Sequence, residues 1–238
     1  MLFHFFSSMK TSLFIFILLN DNLEQQAQAI FKSWFVDFEP FYGKKPLAWK
    51  ATTLGNVTTN IRKNIGDKVY PVFSAVNSGN LIFSDDYFTK QVYSKKLNKY
   101  IEVDTWNFAY NPARINIGSI GINEHNIIGC VSPVYVVFSV QKEYHSFFRF
   151  YFKQNFFNLH CKTKASGSVR QTLSYKDFSL IDVVYPNNEY ALKFDTLWKS
   201  FYQKILRLKA ENKYLSELRD SLLPKLMSGE LDVSAIDL

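Results

Sequence analysis

From Glu189 to Leu223 the chain runs 35 residues without a glycine or a proline. No other feature restricts the fold as much. At 1.5 Å per residue a helix of that length is about 52 Å long, far more than one small core needs. Its apolar residues Phe194, Trp198, Phe201, Ile205, Leu208, Leu215 and Leu222 are spaced by fours and threes, with Asn212 and Arg219 on the same line. That is a heptad seam, and a seam this long requires an equally long helical partner. An Asn on the seam specifies register at some cost in stability. Asn188 is placed to cap the helix, with Glu189 in its first turn beside the positive end of the helix dipole.

The opposite end of the chain offers the partner. Leu13, Phe16, Asn20, Leu23, Ala27, Ile30 and Trp34 follow the same alternation. An offset of 192 residues (212 − 20) places Asn20 on Asn212, Leu23 on Leu215, Ile30 on Leu222 and Trp34 on Leu226. Two related helices therefore flank whatever lies between them. The expected helix interface is Asn20, Leu23, Ile30 and Trp34 with Phe201, Ile205, Leu208, Asn212, Leu215 and Leu222. Periodicity leaves open whether the pair forms within one chain or between two.

Between these ends the chain changes character. Eight of nine glycines and six of seven prolines fall from Pro40 to Pro186, which marks a domain punctuated by turns. β-Branched and aromatic runs at Val69–Phe73, Asn80–Phe83 and Val134–Phe138 read as strands. Tyr144–His160 has apolar residues near helical spacing and reads as one helix. Strands and helices without βαβ alternation indicate an α+β fold. The expected boundaries are an N-terminal helical part over 1–41, a mixed domain over 42–187 and a C-terminal helix and tail over 188–238.

Charge and composition narrow the function. Of a net charge of +7 on 238 residues, Leu47–Tyr190 carries +6 (16 Lys and Arg against 10 Asp and Glu), so an anionic partner would meet the middle domain. Two cysteines exclude a disulfide framework, and four histidines without ligand spacing predict no metal site. No phosphate-binding loop, dinucleotide fingerprint or nucleophile elbow occurs. Asn111-Pro112-Ala113-Arg114 lacks the second proline and the aromatic that would clamp a flipped base. The apolar run Leu13–Leu19 is too short to span a membrane and has no small-residue cleavage site after it, so a cytoplasmic location is expected over secretion as an adhesive domain.

Two segments are more specific than any of this. Asn22–Pro40 (NLEQQAQAIFKSWFVDFEP) resembles the central conserved helix of type I restriction–modification specificity (S) subunits, and Leu218–Leu231 (LRDSLLPKLMSGEL) resembles their C-terminal conserved region. Between them, Asn111–Gly121 and Val131–Tyr135 resemble one class of that family's target-recognition domains, and Ser166–Gln171 resembles its distal loop. Family members usually carry two such domains; this chain has one.

The resemblance implies a half-length, non-catalytic DNA-recognition subunit. Its domain would read one half of a bipartite site in double-stranded DNA. Its conserved helices would pair as an antiparallel coiled coil and dock methyltransferase (M) subunits, with restriction (R) subunits joining for cleavage. S-adenosylmethionine, ATP and Mg would belong to those partners, and none would be bound by this chain. A second half-subunit, or a second copy of this chain, would read the other half-site. The alternative is an interaction subunit that occupies M subunits without productive DNA reading.

DNA reading needs cations for phosphates and planar donors for base edges. Lys162, Lys164, Ser168, Arg170, Gln171 and Lys176 surround a small-residue loop, and Arg62, Lys63 and Lys68 form a second cluster. Arg114 and Asn116 lie in the family-like motif. These eleven residues are the expected contacts.

Overall fold

Short runs of β-branched and aromatic residues, cut by turn formers, dictate short strands. The computed structural model describes residues 22–164 and 172–230. Helix α1 (22–35) leads to β1 (Lys50–Thr53), α2 (Leu54–Val57), β2 (Thr58–Ile61), β3 (Phe73–Ala75), β4 (Leu81–Phe83), α3 (Ser84–Tyr87), β5 (Ile101–Val103) and β6 (Phe108–Tyr110). Then come β7 (Ile120–Ile122), β8 (Gly129–Val131), β9 (Val136–Val140), α4 (His145–Tyr151), α5 (Asn155–Lys164), α6 (Tyr175–Ser179), β10 (Asp182–Tyr185) and α7 (Asn188–Met227). The fold is α+β, as expected. It divides into two compact units. One contains α1 to Trp34 and α7 from Thr196; the other is Phe35–Asp195.

In the larger unit, β2, β9, β6 and β7 form an antiparallel sheet in that order, while β3 pairs with β4 and β5 with β8. Single bridges join these pieces. Asn80 meets Ile122 of β7, Val72 meets Cys130 of β8, and Asn64 meets Ile101 of β5. The strands thereby close into a circuit, which leaves few free edges. Phe73, Ala75, Leu81, Ile101, Val103, Ala109, Val131 and Val137 form its buried core. Two glycines make the closure possible. A Cβ on Gly121 would lie 2.4 Å from the Asn80 carbonyl carbon, and one on Gly129 would enter the Phe73 ring.

Alternation along β6 and β9 sends Ala109 and Val137 to this core and their neighbours to the opposite face. There Phe108 stacks on Phe138 at 5.3 Å, and Phe152 meets both edge-on. Phe178 of α6 lies 5.0 Å from Phe138, so the helices bury this second aromatic layer. A third cluster joins Phe35 to Phe147 and Phe194 at 5.3 and 5.4 Å. A buried ion pair ties α4 to the ring. Arg149 donates to both Glu124 carboxylate oxygens and to Asn80 Oδ1, at 2.8, 3.2 and 2.9 Å.

Several local expectations need correction. Tyr144–His160 is two helices: the amides of Lys153 and Gln154 bond back only to Phe150 and Tyr151, and a new helix starts at Asn155. The break lets Phe152 and Phe157 meet at 4.9 Å over the sheet. Within Val69–Phe73 only Phe73 joins a strand, since Pro71 has no N–H to donate; Val69 is 92% exposed. Val134 lies outside β9 because a turn bonds the Tyr135 amide to the Ser132 carbonyl. Asn188 does not cap α7: its Oδ1 accepts from the Tyr144 hydroxyl at 2.6 Å, and the Asn187 carbonyl accepts the first helical bond. The helix also continues past Leu223 through Pro224, ending where Gly229 adopts φ 76°. Only one turn follows the proline, and a left-handed glycine is the usual terminator.

In the smaller unit, Leu23, Ala27 and Phe31 of α1 and Trp198 and Ile205 of α7 are buried. Phe35 at the end of α1 and Phe194 at the start of α7 meet edge-on within the larger unit. Along α7 the half-buried positions include the seam residues Phe201, Leu208, Asn212, Leu215, Arg219 and Leu222, and equally Leu197, Tyr202, Ser216, Leu223 and Leu226 beside the seam. On α1, Ile30 and Trp34 are only half-buried. The deeply buried line steps by four through Phe31, because a straight helix of 3.6 residues per turn drifts from a 3.5-residue seam. Asn20 lies outside the described residues.

Candidate nucleic-acid interface

Strand register brings distant cations to one end of the sheet. Ile61 is level with Val137, and Tyr110 with Val136. One step beyond Ile61 therefore places Arg62 level with Tyr110, two strands away. Burial pushes the Tyr110 hydroxyl far above its ordinary value, with the nearby Arg62 opposing that shift. Arg62 is exposed and makes no ion pair among the described residues.

After Tyr110 the chain makes a rigid connection to β7. Asn111 Oδ1 accepts from the Ala113 amide at 3.0 Å, and the Arg114 amide bonds to the Asn111 carbonyl. The Arg114 carbonyl accepts from both Ile117 and Ser119 amides, and Ser119 Oγ donates to the Ala75 carbonyl at 2.8 Å. Residues Ile115–Ile117 form a 3-10 turn closed by Gly118 at φ 87°. Ile115 is buried and Arg114 exposed, while Asn116 is half-buried.

Helix α5 packs against this turn. Its buried face is Phe157 and Cys161, and Lys162 and Lys164 are exposed in its last turn, where cations complement the helix dipole. The segment returning at Thr172 is clamped on both sides of Leu173. Its amide donates to the Pro112 carbonyl at 3.1 Å, and its carbonyl accepts from the Tyr110 hydroxyl at 3.2 Å. Lys176 follows in α6, exposed, behind a cap in which Ser174 Oγ accepts from the Asp177 amide. Register thus brings Arg62 to the end of the sheet where Arg114 and Asn116 turn, and α5, which carries Lys162 and Lys164, packs on that turn. Ser168, Arg170 and Gln171 lie outside the described residues.

Lys63 and Lys68 differ. Both pair with Glu102, the first tightly and the second at 3.6 Å, and the Glu102 amide bonds to the Lys63 carbonyl. The hydrogen bond from Lys63 holds the Glu102 carboxyl below its ordinary value against the opposing effect of burial. This carboxylate compensates part of the cluster's charge. It is 39 residues from Lys63 in sequence, so only strand pairing reveals it.

The described residues contain no group of three His, Cys, Asp or Glu that could hold a metal ion. Burial pushes the Cys130 thiol up to about 11 and Cys161 to about 12, which keeps both protonated and unreactive. No described helix is long and apolar enough to cross a membrane.

The sequence is 25% identical over 247 residues to the specificity subunit of the type I restriction enzyme MjaIX from Methanocaldococcus jannaschii, covering 91% of this chain and 55% of that protein. It is 23% identical over 287 residues to the HindI specificity subunit of Haemophilus influenzae, covering 90% and 62% respectively. The fold is similar to that of the type I restriction–modification S subunit from M. genitalium, with a TM-score of 0.57 at 18% identity over 92% of this chain and 58% of that one. The chain spans little more than half the length of the curated relatives it matches. It matches no family model.

Proposed function

We propose, from its similarity to type I restriction–modification specificity subunits, that this chain is a non-catalytic DNA-recognition subunit of that family. Its larger unit binds one half of a bipartite site in double-stranded DNA. Its helical unit docks methyltransferase subunits, and restriction subunits join the assembly. S-adenosylmethionine, ATP and Mg act in those partners, in the cytoplasm. A second copy of the chain or another half-subunit reads the other half-site, and self-pairing would make that site symmetric, because a two-fold protein reads two-fold DNA.

One observation carries this reading: exposed Arg62, Arg114, Lys162 and Lys164 lie on elements that converge at one end of the sheet, Arg62 by strand register and α5 by packing on the Arg114 turn. Cations on a rigid end suit phosphates, and the adjacent turn suits base edges.

Selection from a duplex pool with a randomised central segment, by the full chain alone and with a type I methyltransferase subunit, tests it. One enriched motif is expected in at least one arm. Capture of the methyltransferase with no enrichment in either arm overturns DNA reading in favour of the interaction-only alternative.

A further inference from the structure

Ile117 is 68% exposed on the hydrogen-bonded connection from β6 to β7. Its side chain is no product of a loose loop, because the turn is held by the hydrogen bonds of Arg114, Gly118 and Ser119. Arg114 and Ile117 are three apart, joined by a 3.1 Å bond from the Ile117 amide to the Arg114 carbonyl. Both side chains are exposed, while Ile115 is buried. Helix α5 bearing Lys162 and Lys164 packs against the same turn. One hydrogen-bonded turn thus presents an exposed branched apolar group and a guanidinium, with a cation-bearing helix packed against it. It matches a major-groove edge, where thymine alone presents a methyl group among acceptors and phosphates.

We propose that Ile117 is a specificity-determining residue that contacts the C5-methyl of a thymine, with Arg114 on the adjacent phosphate or base edge. This rests on the DNA-recognition reading above and narrows it to one turn. The rigid backbone favours such a contact because no loop ordering opposes binding.

The test uses the duplex enriched by the full chain, resynthesised with deoxyuridine in place of each thymidine in turn. Loss of one methyl weakens binding by the parent chain about fourfold at one position, the value of one buried methylene-sized group. Ile117→Ala binds the thymidine duplex more weakly by about the same factor, no longer distinguishes the two duplexes, and melts at the parent temperature. Ile117→Val retains the discrimination. A parent chain with no uridine-sensitive position, or an Ile117→Ala chain with undiminished discrimination, overturns this inference while leaving DNA reading intact. Failure to enrich any duplex overturns both.

Discussion

At the scale of single residues, the decisive groups are buried charges. Arg149 and Glu124 are 3% and 6% exposed, so each depends on the other for compensation. Arg149→Met leaves Glu124 buried and unpaired and is expected to cost about 3–5 kcal/mol. The double change with Glu124→Leu should recover most of that loss, as read from denaturant unfolding. Glu102 behaves differently, because Lys63 and Lys68 are more than half exposed. Its folded value lies below the unfolded one. Its contribution is therefore present above the unfolded carboxylate value and disappears as pH falls through the folded one. Glu102→Gln should be less stable than the parent by about 0.5–1 kcal/mol at neutral pH, a screened-pair magnitude. The difference should vanish in acid, and urea unfolding across a pH series measures it.

At the scale of elements, close approach of backbone governs the ring and a polar seam position governs the long helix. Gly121 admits the Asn80 carbonyl to within 2.6 Å of where a Cβ would sit. Neither strand can yield without breaking the bridge that closes the circuit. Gly121→Ala is expected to destabilise the domain by about 3 kcal/mol, detectable as a lower melting temperature. On α7, Asn212 Oδ1 is buried with no partner among the described residues. An unsatisfied buried acceptor costs about 1–3 kcal/mol, so Asn212→Leu should raise the melting temperature. An unchanged or lower value would mean that the Asn contributes a compensating interaction.

At the scale of the whole molecule, charge placement decides how binding responds to salt. The excess of six positive charges between Leu47 and Tyr190 is partly compensated at Glu102, while Arg114, Lys162 and Lys164 are exposed and make no ion pair among the described residues. Each phosphate neutralised adds about −0.9 to the slope of log affinity against log salt. Lys162→Ala or Lys164→Ala should reduce that slope by about one while leaving the enriched motif unchanged. Titrations at several salt concentrations separate these two effects.

Local pattern alone determined the two flanking helices, the α+β middle and the location of the charge. A 3–4 apolar repeat can be buried only as a helix with a partner, and glycine and proline cannot continue one. The residues quoted from both ends also carried the resemblance to type I specificity subunits without any geometry. Tertiary structure decided what depends on contacts across the chain. The break at Phe152–Gln154 follows from packing two phenylalanines on one curved sheet. The pairing of Lys63 with Glu102 follows from strand register. Asn188 left its cap position because Tyr144 takes its side chain. Ile117 was hidden among neighbouring isoleucines, since only the closed turn shows which faces inward. Helical periodicity is a short-range property written in consecutive residues. Charge compensation and the outward face of a turn arise from residues dozens of positions apart, which only the folded chain brings together.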